Sequence, residues 1–299
     1  MDRLTDPVSE SVADKCLIIH ADDLGMAHSV NEATFGAMEQ GAVSSASVMI
    51  PCPWAAEVAS YLQHNRMLDV GIHITLTSEW DRFKWRPVAP ADSVPSLIDC
   101  YGYLWRDEES VVKRAEPGDV ECEIRAQISL AFQLGLRPTH LDSHMFVLWS
   151  TPHLFAVFAR VAHEYSLPFL AVKKLHLQSP FVDSLTPNDI LVDNVVSIRP
   201  YVRPEEWSSW YLNAVGAMAR GVTELIVHVG RDDSELRAIT HGSDAWGSAW
   251  RGRDLTAVTS AAMRNVCGEN GIRIVTWKEL GTLSRLDLLA QCAIEGQSG

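Results

Sequence analysis

The sequence predicts an α/β protein, an irregular (β/α) barrel built as a single domain. Three observations carry that expectation. Short apolar runs alternate with segments of helical period along nearly the whole chain. No GxGxxG follows the first run and no GxxxxGKS or GxxxxGKT occurs, so the common nucleotide-binding reasons for an open sheet are missing. Acids and histidines recur in or at the ends of four separate runs, and in a parallel sheet those ends meet on one face.

Taken in order, Cys16-Leu17-Ile18-Ile19-His20 reads as a buried strand that runs into Ala21-Asp22-Asp23-Leu24-Gly25. Helical spacing follows over 29–40, then a strand over 43–50 closed by Pro51-Cys52-Pro53, a helix over 55–64 and a strand over 69–76. The tryptophan-rich stretch 78–105, within an insertion near 78–110, reads as a long loop over the barrel mouth. Pro117-Gly118 marks a turn, with Asp119 as N-cap of a helix over 120–134 that stops at Gly135. A strand end at 139–143 and a helix over 152–165 come next, then strands over 168–172, 191–198, 224–228 and 272–276. The barrel domain spans 16–285, preceded by a disordered or extended segment over 1–15 and followed by a tail over 286–299.

The chain has 299 residues, 47% hydrophobic and 21% charged, an ordinary balance for a globular protein. Its net charge of -13 argues against nucleic acid or an anionic membrane surface as a main partner. Cys16, Cys52, Cys100, Cys122, Cys267 and Cys292 are scattered with no CxxC pair, which suits reduced thiols in a cytoplasmic protein. The polar, acidic N-terminus lacks a signal-peptide pattern, and no stretch approaches the roughly 20 apolar residues of a membrane span. The many aromatics are compatible with a homodimer interface.

The chemistry lies in where the polar residues fall. Asp22 and Asp23 follow the first strand, His73 lies inside Val70-Gly71-Ile72-His73-Ile74-Thr75-Leu76, Asp142 and His144 end the fourth run, and His228 ends Leu225-Ile226-Val227-His228. Singly, each has an ordinary reading: a strand histidine is a hydrogen-bonded core residue, and paired aspartates cap the helix that follows. Together they need another explanation, because several buried ionisable groups at one sheet edge are costly unless paired or bound to a cation. Imidazole and carboxylate without thiolate suit one divalent ion, Zn or Mg foremost, with Mn, Co and Ni compatible. Three protein donors would leave positions for water and substrate, and a neighbouring carboxylate could act as base.

In four stretches the sequence resembles the YdjC-like carbohydrate deacetylases, which include chitooligosaccharide and chitobiose deacetylases. These are Ile18-Ile19-His20-Ala21-Asp22-Asp23-Leu24-Gly25, Val70-Gly71-Ile72-His73-Ile74-Thr75-Leu76, Arg137-Pro138-Thr139-His140-Leu141-Asp142-Ser143-His144 and Val227-His228-Val229-Gly230. The resemblance implies an irregular barrel related to polysaccharide deacetylases. It makes Asp23, His73 and His144 metal ligands, Asp22 the base, His228 the acid for the departing amine, and His140 and Asp142 orienting groups. The implied reaction removes an N-acetyl group from an acetylated amino sugar or short glycan through a metal-bound water.

One departure bears on the substrate. Many family members continue the third motif with further histidines, where this chain has Met145-Phe146-Val147-Leu148-Trp149. Trp80, Trp85, Met145 and His241 are candidate substrate contacts, with Trp105, Trp246 and Trp250 nearby in sequence; the aromatics would stack on a sugar or else anchor long loops. Arg86 and Arg251 would bind an anionic substituent or lie solvated at the surface. The alternatives are an O-acetyl esterase, a deacylase of a glycosylated or non-sugar N-acyl metabolite, and a non-catalytic metal- or sugar-binding barrel.

Overall fold

The computed structural model describes residues 15–282. Its seven-stranded sheet is parallel throughout, in the path β4-β3-β2-β1-β6-β5 with β7 also on β1. The strands are β1 (Lys15–Leu24), β2 (Ser45–Val48), β3 (Val70–Ile74), β4 (Leu141–Ser143), β5 (Asn194–Ser197), β6 (Gly221–Val227) and β7 (Ile272–Ile274). Two single bridges, Leu141 to Phe169 and Val172 to Val192, carry the path from β4 round towards β5. An irregular barrel results. The expected strand over 168–172 is thus only a pair of isolated bridges, and the backbone bond from Leu170 to the Leu141 carbonyl stands in for a ladder.

Among the described residues ten α-helices lie between the strands: α1 (His28–Glu39), α2 (Ala55–His64), α3 (Glu108–Arg114), α4 (Pro117–Gln133), α5 (Pro152–Tyr165), α6 (Lys173–His176), α7 (Trp207–Gly216), α8 (Ser234–Ile239), α9 (Ser248–Val258) and α10 (Ala261–Glu269). Helix α4 corrects the expected start. Pro117 takes its first turn, where a missing N–H costs nothing, and Glu116 is the N-cap. The Asp119 carboxylate instead accepts from the backbone and hydroxyl of Ser96, pinning the long loop. Helix α9 escaped the periodicity because it buries Ser248, Arg251 and Asp254 beside Trp250 and Val258, which breaks the apolar stripe. No helix among the described residues is long and apolar enough to cross a membrane. The expectations for the first fourteen residues and for the tail lie outside the described residues.

Strand alternation sets the site. Along β1, Leu17, Ile19 and Ala21 join the apolar layer under the helices, whereas Cys16 and Ile18 join Leu170, Val172, Val192, Val222 and Trp277 in a second cluster. His20 and Asp22 continue that second face, so the same side of one strand changes from apolar to ionisable towards its C-terminal end. His140 packs against Gly71, where a Cβ would sit 2.6 Å from the imidazole. A side chain on β3 at that position would expel the ring.

Candidate metal centre

Successive strand residues normally point to opposite faces, so Asp22 and Asp23 should not both reach one site. A bulge resolves this: the β1–β2 register shifts between Ala21 and Leu24, and Asp23 adopts φ 67°. Aspartate tolerates this left-handed conformation better than most residues. Neither aspartate caps α1. Its N-cap is Ala27, with no side-chain bond, and Glu235 reaches over to accept from the N–H groups of His28 and Ser29.

Three donor atoms from three strand ends converge. His144 Nδ1 is 3.1 Å from Asp23 Oδ1, His73 Nε2 is 3.4 Å from the same oxygen, and the two ring nitrogens are 3.3 Å apart. A four-coordinate ion about 2.0–2.1 Å from each donor would space them about 3.3 Å apart. Asp23 Oδ1 is buried and makes no aligned hydrogen bond among the described residues, which leaves a lone pair for a cation.

Each imidazole is held from behind. His73 Nδ1 faces Asp142 Oδ1 at 2.7 Å and Ser47 Oγ at 3.0 Å, because β3 and β4 pair His73 directly with Asp142. His144 Nε2 faces Glu79 Oε2 at 3.1 Å. With their outward N–H groups committed to carboxylates, both rings turn a lone pair inward, the arrangement metal-binding histidines require. On the far side of Asp23, Arg251 Nη2 donates to Oδ2 at 2.5 Å. Arg251 is therefore buried at the centre rather than solvated at the surface, and its Nε donates to the Trp246 carbonyl.

The electrostatics favour positive charge here. Burial would lower His73 and His144, but Asp142 and Asp22 lift His73 well above the usual imidazole range, and Glu79 and Asp23 lift His144 to about 9. Burial would raise Asp23, yet Arg251 and then His144 hold it well below the usual carboxylate range. A field that holds protons this strongly also suits a divalent cation, so the residues present fit one.

Asp22 lies beside the three donors. Its Oδ1 meets His20 Nδ1 at 2.9 Å, and its Oδ2 is 3.8 Å from both His73 Nε2 and His228 Nε2. His228 is fixed by a backbone bond to Asp254 Oδ2, and its ring Nδ1 has no hydrogen-bond partner among the described residues. Burial foremost keeps its pKa below the ordinary imidazole value.

The other sequence candidates separate. Trp80 and Trp85 are buried, their indole N–H groups donated to Met26 Sδ and the Thr77 carbonyl, so neither offers an open face. Met145, next to His144, is 40% exposed, and Trp246 is 38% exposed. His241 is exposed on the loop before α9. Asp23, Met145, Phe146 and Trp246 all have positive φ, and each stands in or next to the constellation in sequence or through Arg251. Sequence reading missed Glu79 and Ser47. The only signal for Glu79 was its place just beyond the C-terminal end of a histidine-bearing strand.

The model of a family described as YdjC-like protein matches residues 16–269. A carbohydrate deacetylase of Thermus thermophilus is 31% identical over 274 residues, covering 88% of this chain and 93% of that protein. A chitooligosaccharide deacetylase of Yersinia enterocolitica is 32% identical over 165 residues, covering 52% of this chain and 58% of that one. Among solved structures, an Enterococcus faecalis protein assigned to cellobiose-phosphate cleavage superposes with a TM-score of 0.75 at 25% identity, covering 90% of this chain and 99% of its own.

Proposed function

The chain belongs to the YdjC-like family, and from that premise we propose that it is a metal-dependent carbohydrate deacetylase that hydrolyses the N-acetyl group of an amino sugar or short glycan. The observation that carries the reading is the triangle of Asp23 Oδ1, His73 Nε2 and His144 Nδ1 with Asp22 Oδ2 beside it. Relatives named for carbohydrate and chitooligosaccharide deacetylation support the substrate class.

Asp23, His73 and His144 would hold one divalent ion, zinc or magnesium foremost given two imidazoles, a carboxylate and no thiolate. Such an ion would supply Lewis-acid polarisation of the acyl oxygen and acidify a neighbouring water. Asp22 accepts the proton of the attacking water at Oδ2, the oxygen that His20 leaves uncommitted. His228 Nε2 lies 3.8 Å from the same oxygen. Burial keeps its pKa low, so the proton it gives to the departing nitrogen is the one Asp22 took from water, received across this 3.8 Å approach and released readily. The amide and water become acetate and a free amine, with no redox change.

The partial exposure of Met145, next to His144 in sequence, and of Trp246, whose carbonyl accepts from Arg251, supports assigning both to contact with the sugar or its aglycone. The test is acetate release from N-acetylglucosamine and its short oligomers, with O-acetylated sugars in parallel. Release from the N-acetyl compounds that disappears in Asp22→Asn supports the reading. Release from O-acetyl sugars alone would replace it with an esterase.

A further inference from the structure

Behind Asp22 the barrel contains a chain of polar groups, buried but for the half-buried Thr139, that the proposed reaction does not use directly. Asp22 Oδ1 faces His20 Nδ1 at 2.9 Å, His20 Nε2 faces His140 Nε2 at 3.0 Å, and His140 Nδ1 faces Thr139 Oγ1 at 3.0 Å. Thr139 Oγ1 in turn donates to Asp69 Oδ1 at 2.6 Å. His20 and His140 are wholly inaccessible to solvent.

The direction of every bond follows from its far end. Asp69 only accepts: it also takes the Ser45 hydroxyl and the Lys278 backbone N–H. The Thr139 hydrogen is therefore spent on Asp69, so Thr139 Oγ1 accepts from His140 Nδ1–H. A neutral His140 protonated on Nδ1 has only a lone pair on Nε2, which must accept from His20 Nε2–H. The other His20 nitrogen faces a carboxylate and must also carry hydrogen. His20 is thus an imidazolium, and Asp142 Oδ2 at 3.6 Å adds a second acid beside it. Burial would lower His20, but its hydrogen bond to Asp22 and the carboxyls of Glu224 and Asp142 lift it to about 9, while burial leads in holding His140 low.

We infer that His20 is a positioning residue: its Nδ1–H fixes Asp22 through Oδ1, so that Oδ2 alone is presented to the reacting water, and its Nε2–H anchors that arrangement to the barrel through His140, Thr139 and Asp69. The inference rests on Asp22 being the base. It accounts for an imidazole directly after the apolar run 16–19, because a hydrophobic residue at position 20 would leave Asp22 Oδ1 without a donor.

Two substitutions separate the two ring nitrogens. In His20→Asn the amide nitrogen replaces Nδ1 and keeps the bond to Asp22 while losing His140. In His20→Gln the amide reaches the position of Nε2 and keeps His140 while losing Asp22. The expected result is a kcat about 10–100-fold lower in His20→Gln, with KM unchanged, and near wild type in His20→Asn. In the zinc-loaded wild-type enzyme, nitrogen-15 NMR of the His20 ring should show both nitrogens protonated at neutral pH. Equal loss in both variants, a singly protonated ring, or a second bound zinc lost with His20→Gln would overturn the inference, the last because His20, His140 and Asp142 also lie close enough to hold an ion. Asp22→Asn measured alongside keeps the two claims apart. Loss there with none in His20→Gln refutes the positioning role alone, whereas an active Asp22→Asn refutes the base itself.

Discussion

Arg251 Nη2 donates to Asp23 Oδ2 at 2.5 Å, an ion pair between residues 228 positions apart and buried on both sides. It leaves one oxygen of Asp23 for the guanidinium and one for the space shared with His73 and His144. Removing the cation strands a buried carboxylate, which typically costs about 3–5 kcal/mol. Arg251→Met should lower the stability of the metal-free protein by about that amount, read from its denaturant midpoint. A change below about 1 kcal/mol would show the pair to be dispensable.

Glu79 holds His144 by its outer nitrogen. Glu79→Ala should weaken metal binding about 10–100-fold, while Glu79→Gln, whose amide oxygen still accepts the N–H, should fall between it and the wild type. Competition against a chelator of known affinity reads this directly. Equal affinities in all three proteins would remove Glu79 from the site.

Asp69 predicts a specific acid sensitivity. Burial opposes its ionisation, but the His140 ring, the Thr139 hydroxyl and the Lys278 N–H overcome this and lower its pKa from 3.8 to about 2. A depressed folded value means stability that is present above the unfolded pKa of about 3.9 and lost as pH falls towards 2, worth about 2 kcal/mol. Asp69→Asn should therefore be less stable than wild type near neutrality, with the gap closing below about pH 4. A gap that stays constant down to about pH 2 would contradict this assignment.

Much of this was legible in the residues. The alternation Cys16, Ile18, His20, Asp22 already placed acids and imidazoles on one strand face, and the motifs around His73, Asp142 and His228 marked the other strands that feed the site. Side-chain partners set by tertiary packing were not legible. Arg251 lies on a helix whose buried polar residues hide its period, and nothing local shows that a guanidinium so distant in sequence meets Asp23. The bulge that turns Asp22 and Asp23 together depends on pairing with β2, which no local pattern encodes. The tryptophans misled for a simpler reason, since composition cannot tell an indole that anchors a loop from one that faces solvent.

Trp85 and Met145 should respond differently to truncation. Trp85 is buried with its N–H bonded to Thr77, so Trp85→Ala should cost about 3–5 kcal/mol of stability, seen as a lower thermal midpoint. Met145 is exposed beside His144, and Met145→Ala should raise KM for the sugar with little change in stability or kcat. The opposite pattern would place the substrate against Trp85.

We expect Asp23, His73 and His144 to form one metal site, and the metal bound per chain reads this out. Elemental analysis of the purified, reconstituted protein should give about one divalent ion per chain for the wild type and for Asp22→Asn, and close to none for His73→Ala. A wild-type protein that binds no metal under these conditions, or a His73→Ala protein that keeps its full complement, would contradict it.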